Sequence, residues 1–172
     1  MGGGTRARGL AEFIVGLLRE TMQYNTFSTE TWRVNLPIDW MKKDSSRNGQ
    51  LYFESADGTM GFYIATWKFK PEDHGGSNLQ AVKDVAAAER KGFENMEESE
   101  WTILLDDVNN SETQAISVLD YYDTEKNYRI VCKSIASLPY VVRSSFHDFL
   151  CNDLSNSQIL SEEILGSFEI NT

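Results

Sequence analysis

WTILLDDVNNSETQAISVLDYYDTEKNYRIVCKSIA, residues 101–136, is the stretch that decides the fold class. It contains three runs rich in β-branched and aromatic residues, at 101–108, 113–122 and 128–136, and such runs are typical of strands. The segments DDVNNSE and DTEKN separate these runs and are rich in Asp, Asn and Ser, which favour turns. The stretch therefore predicts a meander of antiparallel strands.

The segments before the meander predict further strands. TWRVNL at 31–36 alternates apolar and polar side chains, and it is followed by Pro37, which cannot donate to a strand ladder. QLYFES at 50–55 and MGFYIATWKF at 60–69 flank an Asp-Gly dipeptide at 57–58, which supplies the positive φ angles of a tight turn. We therefore expect a half-buried strand followed by a β-hairpin.

Two helices complete the predicted order of elements. Ser77, with Gln80 three residues later, has the form of a capping box, and apolar residues then recur at helical spacing. Residues 155–165 form a second amphipathic helix that ends at Gly166. The apolar stripe of the first helix is Leu79, Val82, Val85, Ala86, Phe93 and Met96, and Lys83, Asp84, Glu89, Arg90 and Glu94 are expected to face water.

Residues 140–150, YVVRSSFHDFL, fit the periods of a strand and of a helix about equally. Pro139 favours a hairpin turn before them, so we predict a strand. The whole order predicts an α+β fold, an α/β/α sandwich in which a central twisted antiparallel sheet is covered by helices on both faces. Residues 23–172 are long enough to form a single domain with one core.

WRVNLPIDW at 32–40 and ILSEEILGSFEI at 159–170, in this order of elements, resemble the PsbP-like fold. The resemblance spans about residues 30–170. Families with this fold include photosystem PsbP proteins, Mog-type Ran-binding proteins and bacterial Eag-type chaperones for secreted effectors. The resemblance implies a non-enzymatic scaffold or binding protein. It implies no particular binding residue, because only these two structural segments match.

The charge of the chain narrows the range of partners. There are 26 Asp and Glu against 16 Lys and Arg, which gives a formal net charge of −10. Such a surface repels phosphate backbones and anionic membranes, so we expect no nucleic-acid partner. A partner protein with a basic surface is easier to accommodate on this acidic chain than a nucleic acid or an anionic membrane.

Residues 1–22 predict a flexible tail followed by a short amphipathic helix. The apolar run of this helix is interrupted by Glu12 and closed by Arg19, and a membrane span needs about 20 apolar residues. We therefore expect no membrane insertion. The stripe packs on its own domain or pairs with a second copy as a homodimer, since left in water it would be an association site. Its residues are Phe13, Ile14, Leu17 and Leu18.

The residues that most often carry chemistry form no recognisable motif. Cys132 and Cys151 lack CxxC spacing and a nearby histidine pair, so we expect reduced thiols and a cytoplasmic protein. Ser144, Ser145 and His147 are close in sequence, but neighbouring residues of a strand face opposite ways and no GxSxG is present. We predict no catalytic residues, no cofactor and no metal site.

Acidic and aromatic residues are the remaining indication of function. Tyr and Trp often anchor protein interfaces, and carboxylates attract basic partners. We interpret the chain as a non-enzymatic intracellular protein-binding module, such as a chaperone, an adaptor or a toxin-neutralising partner. The expected partner-binding residues are Trp40, Asp106, Asp107, Tyr121 and Tyr122.

The alternative interpretation is a protein that binds a small molecule or a lipid. Its pocket would lie between the long helix and the sheet. This alternative predicts an apolar cavity and stabilisation of the protein by its ligand, which the first interpretation does not.

Deletion of residues 1–22 tests the role of the N-terminal stripe. If the stripe pairs two copies, light scattering should give the mass of a dimer for the full chain and the mass of a monomer, less than half as large, for the shortened chain. If the stripe packs on its own domain, the shortened chain is a less stable monomer. An unchanged monomer with unchanged stability contradicts the homodimer.

Overall fold

The computed structural model describes residues 22–45, 49–70, 72–96 and 98–171. The predicted N-terminal helix lies outside these residues. The elements in chain order are β1 (Tyr24–Ser28), β2 (Trp32–Pro37), β3 (Met41–Lys43), β4 (Gln50–Glu54), β5 (Met60–Lys68), α1 (Asn78–Glu94), β6 (Trp101–Asn110), β7 (Ala115–Asp123), β8 (Tyr128–Ser137), β9 (Tyr140–Asp148), α2 (Leu154–Ser167) and β10 (Glu169–Ile170).

Seven strands form the main sheet, in the order β3-β4-β5-β9-β8-β7-β6, and every neighbouring pair is antiparallel. The meander predicted over residues 101–136 is confirmed as β6, β7 and β8. Residues 140–150 begin with a strand, β9, as predicted, and β9 joins the meander to the β4–β5 hairpin. That hairpin turns at Gly58, whose φ of +72° favours glycine, while Asp57 Oδ1 accepts from the amide of Thr59.

The prediction of a single sheet was incomplete. β1, β2 and β10 form a separate three-stranded sheet, in which β2 lies between the other two. β1 and β10 lack the apolar alternation that identifies a strand from sequence, because their side chains are exposed or only half buried. The α+β class is confirmed, with two antiparallel sheets in place of one.

The main sheet is covered on two sides by different cores. On the side called here the first face, α1 packs on β6, β7 and β8, with Ala86 and Phe93 against Leu119 and Cys132. On the opposite side, the second face, the small sheet and α2 complete a larger core. The largest wholly buried side chains of that core are Phe53, Phe62, Phe146, Phe168, Leu36, Ile64, Ile135 and Ile164.

The predicted start of α1 is confirmed, because the Ser77 side chain accepts from the amide of Gln80. Two expectations were wrong about which residues of α1 face water and which belong to its buried stripe. Glu89 does not face water, since its carboxylate pairs with Arg143 of β9 and is almost buried. Met96 lies beyond the last helical residue and is exposed, so it is not part of the buried stripe.

Gly61 in β5 permits a close approach of two aromatic rings. A Cβ atom at this position would lie 2.8 Å from Tyr52 and 3.2 Å from Phe149. Real Cβ contacts do not occur at the shorter distance, so any other residue here forces a ring to move. The hydrogen atom of glycine therefore determines how the first face packs at this strand.

A buried ion pair joins the main sheet to α2. The guanidinium of Arg129 donates from Nε and Nη2 to both carboxylate oxygens of Asp120, at 3.0 and 2.8 Å. Its remaining terminal nitrogen donates to the hydroxyls of Ser157 and Ser161 on α2, at 3.1 and 3.0 Å. A buried charge with all its partners is tolerated, whereas one that loses its counter-ion is strongly destabilising.

Replacement of Asp120 by Ala should therefore lower the free energy of unfolding by about 3–5 kcal/mol. Urea titration measures this loss. The matched control is Glu169→Ala, which breaks the exposed pair between Arg33 and Glu169 and should cost less than about 1 kcal/mol. Similar losses in the two variants would contradict the structural role given to the buried pair.

Candidate functional site

β6 is a long, open edge of the main sheet. It has ten residues and pairs with β7, and within the part of the chain that the structure describes no strand pairs with its outer side. The opposite edge strand, β3, has three residues. A long edge with unpaired amides and carbonyls is a template for another strand.

Three consecutive apolar side chains are exposed on this edge. The exposed fractions of Ile103, Leu104 and Leu105 are 55%, 38% and 47%. The register shifts between Ile103 and Leu105, so Ile103 lies opposite Tyr121 on the first face and Leu105 lies opposite Asp120 on the second. Apolar side chains are thus presented on both sides of the same strand.

A cleft of about 250 Å³ lies beside β6 on the first face, against the C-terminal end of α1. Its wall is aromatic, since the ring of Phe93 stacks on Tyr121 at 4.0 Å and meets the edge of Trp101 at 5.2 Å. Arg90 and Glu94 form its polar rim. Ile103 completes the lining, so an apolar side chain placed there would contact the β6 edge as well.

A second cleft, of about 340 Å³, lies beside β6 on the second face, against α2. Leu104 and Leu105 line it together with Leu165 of α2, and the buried Arg129–Asp120 pair lies at its base. The β6 edge therefore runs between two partly apolar clefts.

Carboxylates lie on both sides of β6 next to the apolar residues. Asp106 accepts from Nε and Nη2 of Arg90 on α1, at 2.8 and 2.5 Å, and these hydrogen bonds hold the pKa of Asp106 below its usual range. Asp107 faces the other way and accepts from the side-chain amide of Asn109 at 2.6 Å. Both residues are exposed.

Two donors beneath the first-face cleft are unsatisfied. Trp101 Nε1 and Tyr121 Oη are buried and have no hydrogen-bond partner within residues 22–45, 49–70, 72–96 and 98–171. Burial raises the pKa of Tyr121, so its hydroxyl keeps its proton. A buried donor without a partner costs about 1–3 kcal/mol.

A separate polar chain crosses the first face at β9. Tyr128 Oη lies 2.5 Å from Nδ1 of His147, and Nε2 of His147 lies 3.0 Å from the hydroxyl of Ser145. Arg143 donates to Ser145 and to the thiol of Cys132 at 3.5 and 3.4 Å. Burial, and then the charge of Arg143, lower the pKa of His147 to about 3, so the imidazole is neutral at physiological pH.

This Ser–His contact differs from that of a nucleophile and its base. Alternation places Ser145 and His147 on the same face of β9 and Ser144 on the other, where it donates to the carbonyl of Lys133. Ser145 is wholly buried, and the other nitrogen of His147 meets a phenol instead of a carboxylate. A base with a pKa near 3 is also poorly matched to proton abstraction at neutral pH.

The structure shows neither a metal cluster nor a membrane helix where it describes the chain. Among those residues, no group of three or more His, Cys, Asp or Glu side chains is placed to hold a metal ion. No helix among them is both long enough and apolar enough to cross a bilayer. Cys132 and Cys151 are buried free thiols, and burial raises the pKa of Cys132 to about 12.

Comparison with known proteins identifies the fold. No family model matches the chain, and no curated protein matches it. The solution structure of the cyanobacterial PsbP protein CyanoP from Synechocystis aligns with 87% of this chain and 92% of that one, at 9% identity and a TM-score of 0.64. The fold is PsbP-like.

Two other solved structures are similar to this chain. The Ran-binding protein Mog1p of Saccharomyces cerevisiae aligns with 87% of this chain and 96% of that one, at 10% identity and a TM-score of 0.52. A Bacteroides thetaiotaomicron protein aligns with 88% of this chain and 50% of that one, at 17% identity and a TM-score of 0.53. At these identities the likeness shows the fold alone.

The predicted partner-binding residues lie in three different places in the structure. Asp106 and Tyr121 lie on the first face beside the cleft next to α1, although Tyr121 is buried. Asp107 and Tyr122 lie on the second face. Trp40 is 5% exposed and stacks on Phe146 in the core, so it supports the fold and offers no surface.

Sequence reasoning missed the exposed residues Ile103, Leu104 and Leu105. The signal was present, because three consecutive apolar residues cannot all face the core of a strand that alternates. It also missed the chain from Arg143 to His147. The i, i+2 spacing of Arg143, Ser145 and His147 indicates a shared face once the segment is taken as a strand.

The depressed pKa of His147 predicts a pH dependence of stability. The unfolded imidazole has a pKa near 6.5 and binds a proton below that pH, whereas the folded imidazole stays neutral down to about pH 3. This group therefore lowers the stability of the protein as pH falls below 6.5. His147→Gln removes that effect. Between pH 7.5 and pH 5, the stability of the parent should fall by about 2 kcal/mol relative to the variant.

Urea unfolding at the two pH values measures this difference. Ser144→Ala is the matched control, because it removes a buried, non-titrating hydroxyl from the same strand, and its effect should not change with pH. A difference between the parent and His147→Gln that is the same at both pH values would contradict the neutral, buried imidazole.

Proposed function

We propose that this chain is a non-catalytic, cytoplasmic protein-binding module whose binding surface is the edge of β6. The observation that supports the proposal is the exposure of Ile103, Leu104 and Leu105 on a ten-residue edge strand. Proteins usually protect such an edge with charge, a short strand or a covering element, because it otherwise pairs with other chains. An apolar, open edge is therefore best explained by a partner that covers it.

The partner segment is extended. A strand added beside β6 would pair with its outer amides and carbonyls, and its alternating side chains would point into the two clefts. The clefts lie on opposite faces of the same strand, which matches the period of two residues in a strand. Backbone pairing would supply affinity, and the two clefts would select the side chains.

The partner segment is also basic and apolar. Asp107 lies on the second face of β6, Glu94 lies at the rim of the first-face cleft, and the whole chain carries a net charge of −10, whereas the charge of Asp106 is balanced by Arg90. Such a field favours a cationic partner and makes association faster at low salt. An acceptor on the partner would also relieve the unsatisfied donors of Trp101 and Tyr121 if the aromatic wall opens.

The comparisons support the class of function without naming a partner. Mog1p is described as a Ran-binding protein, so a protein with a similar fold binds another protein. A chaperone, an adaptor and a toxin-neutralising partner would all use an open apolar edge. We retain Asp106, Asp107 and Tyr122 as proposed contact residues, and Tyr121 because it lines the first-face cleft. We leave out Trp40, which stacks on Phe146 in the core.

Replacing Ile103 and Leu105 by Lys tests the surface. Both side chains are largely exposed, so the variant should fold, while its added charges oppose a basic partner. We expect affinity capture from the native cell extract to yield a salt-sensitive protein with the parent, and purified partner to bind the variant at least about tenfold more weakly. Titration calorimetry measures the affinity.

Leu150→Lys is the matched control. Leu150 is 58% exposed and follows β9, which β8 and β7 separate from β6, so its replacement should leave binding unchanged. Hydrogen exchange provides a second measurement, because the outer amides of β6 should become protected in the complex. Equal loss of binding in both variants, or unchanged exchange in β6, would contradict the proposed surface.

A further inference from the structure

The cleft between β6 and α2, called here the second-face cleft, has room for apolar side chains. The exposed side chains of Leu104 and Leu105 form one wall, and α2 forms the other. Leu165 and Val131, which are both buried, contribute to its lining. Exposed apolar side chains beside a cleft of about 340 Å³ mark a surface for another apolar segment.

The polar groups at the base of this cleft already have partners. Arg129 donates to Asp120 and to two serine hydroxyls of α2. Lys133 donates to two carbonyls at the end of α2. A polar ligand would have to compete with these hydrogen bonds, so the cleft favours an apolar occupant.

The first described residues lie beside the same helix. Tyr24 donates from its hydroxyl to Glu163 of α2. Glu162, the preceding residue of α2, lines the cleft, so Tyr24 and the cleft lie on neighbouring sides of the helix. An extended chain from Met22 back to Leu18 spans up to about 14 Å, and a helix with its side chains is about 10–12 Å across. The N-terminal stripe is therefore long enough to reach the cleft over α2.

The length of the stripe matches the length of the cleft. The stripe runs from Phe13 to Leu18, which is about 8 Å in the helix that the sequence predicts. The α2 wall of the cleft runs from Gln158 to Leu165, which is about 10 Å. The stripe would thus lie along this wall with its apolar side chains towards Leu104.

Charge also favours this N-terminal segment. Residues 1–20 contain three Arg and two Glu, so they form a net positive segment in a chain of net charge −10. Exposed carboxylates border the cleft, since Glu162 lines it on α2 and Asp107 follows Leu105 on the same face of β6. Opposite charges around an apolar contact favour that pairing. The segment is basic and apolar, as is the partner proposed for the β6 edge.

We propose that the N-terminal stripe docks in the second-face cleft of its own domain and covers Leu104 and Leu105 until a partner displaces it. The arginines that flank the stripe then lie towards Asp107 and Glu162. The docked segment protects one face of the open edge strand and competes with a partner strand. This competition rests on the proposed function, whereas the docking itself does not.

Leucine methyl NMR of the full chain tests the docking. Both native thiols are buried, so a spin label attaches to the cysteine introduced by Glu12→Cys, which lies off the stripe. We expect the methyl signals of Leu104 and Leu105 to lose intensity, because the label lies near them. The signals of Leu79 should keep their intensity, because this residue is in α1 on the first face.

Leu17→Asp and Gly16→Asp are matched variants at neighbouring positions. Each adds one negative charge, but only position 17 belongs to the stripe. Leu17→Asp should restore the intensity of the Leu104 and Leu105 signals, because a carboxylate is costly to bury in an apolar cleft. Gly16→Asp should leave the loss of intensity unchanged.

Titration calorimetry with the captured partner tests the competition. A segment that is docked in about nine molecules of ten weakens the partner about tenfold. Leu17→Asp should therefore bind the partner about tenfold more tightly than the parent does, and Gly16→Asp should bind it as the parent does. If the β6 edge binds no partner, the proposed function fails, and the signals of Leu104 and Leu105 still decide whether the stripe docks.

Four results would overturn the proposal. The first is no loss of intensity at Leu104 and Leu105, and the second is a loss that persists in Leu17→Asp. The third is a loss at these leucines when a spin-labelled chain is mixed with an isotope-labelled chain that carries no spin label, which would mean that the stripe docks on a second copy. The fourth is a partner affinity that Leu17→Asp does not change, which would exclude the competition.

Discussion

The central strands β8 and β9 are covered on both faces, and this double burial constrains the rest of the structure. Most residues along them are buried, whichever way they face. Val131 and Phe146 pack with α2 and the small sheet, while Cys132 and Val141 pack on the side of α1. Neither core could expand without disturbing the other, because both are built on the same backbone.

Charged residues in these strands are tolerated because each one reaches a specific partner. Lys133 donates from Nζ to the carbonyls of Leu165 and Phe168 at the end of α2, at 2.6 and 3.0 Å. Burial lowers the pKa of this lysine, and the hydrogen bonds to those two carbonyls stabilise its ammonium group. Arg129 joins α2 to the sheet, and Arg143 joins α1 to it. The three cations thus fix where both helices lie.

The sequence was sufficient to predict a helix or a strand wherever one face of that element is buried. The meander, the hairpin and the capped start of α1 follow from alternation, an Asp-Gly turn and Ser77. The sequence was insufficient to predict strands that bury few apolar side chains. β1 and β10 are such strands, and their pairing depends on β2. The site needed three-dimensional information, because the exposure of Ile103 depends on β6 being at an edge, and the role of Glu89 depends on a residue 54 positions away.

The missing side chain at Gly61 has an evolutionary consequence. The solved structures with a similar fold share only 9–17% of their residues with this chain. A larger residue at position 61 requires the ring at position 52 or 149 to move aside, and a smaller side chain at one of those positions removes that requirement. These three positions should therefore change together among diverged descendants, and such covariation would mark common ancestry where overall similarity has been erased.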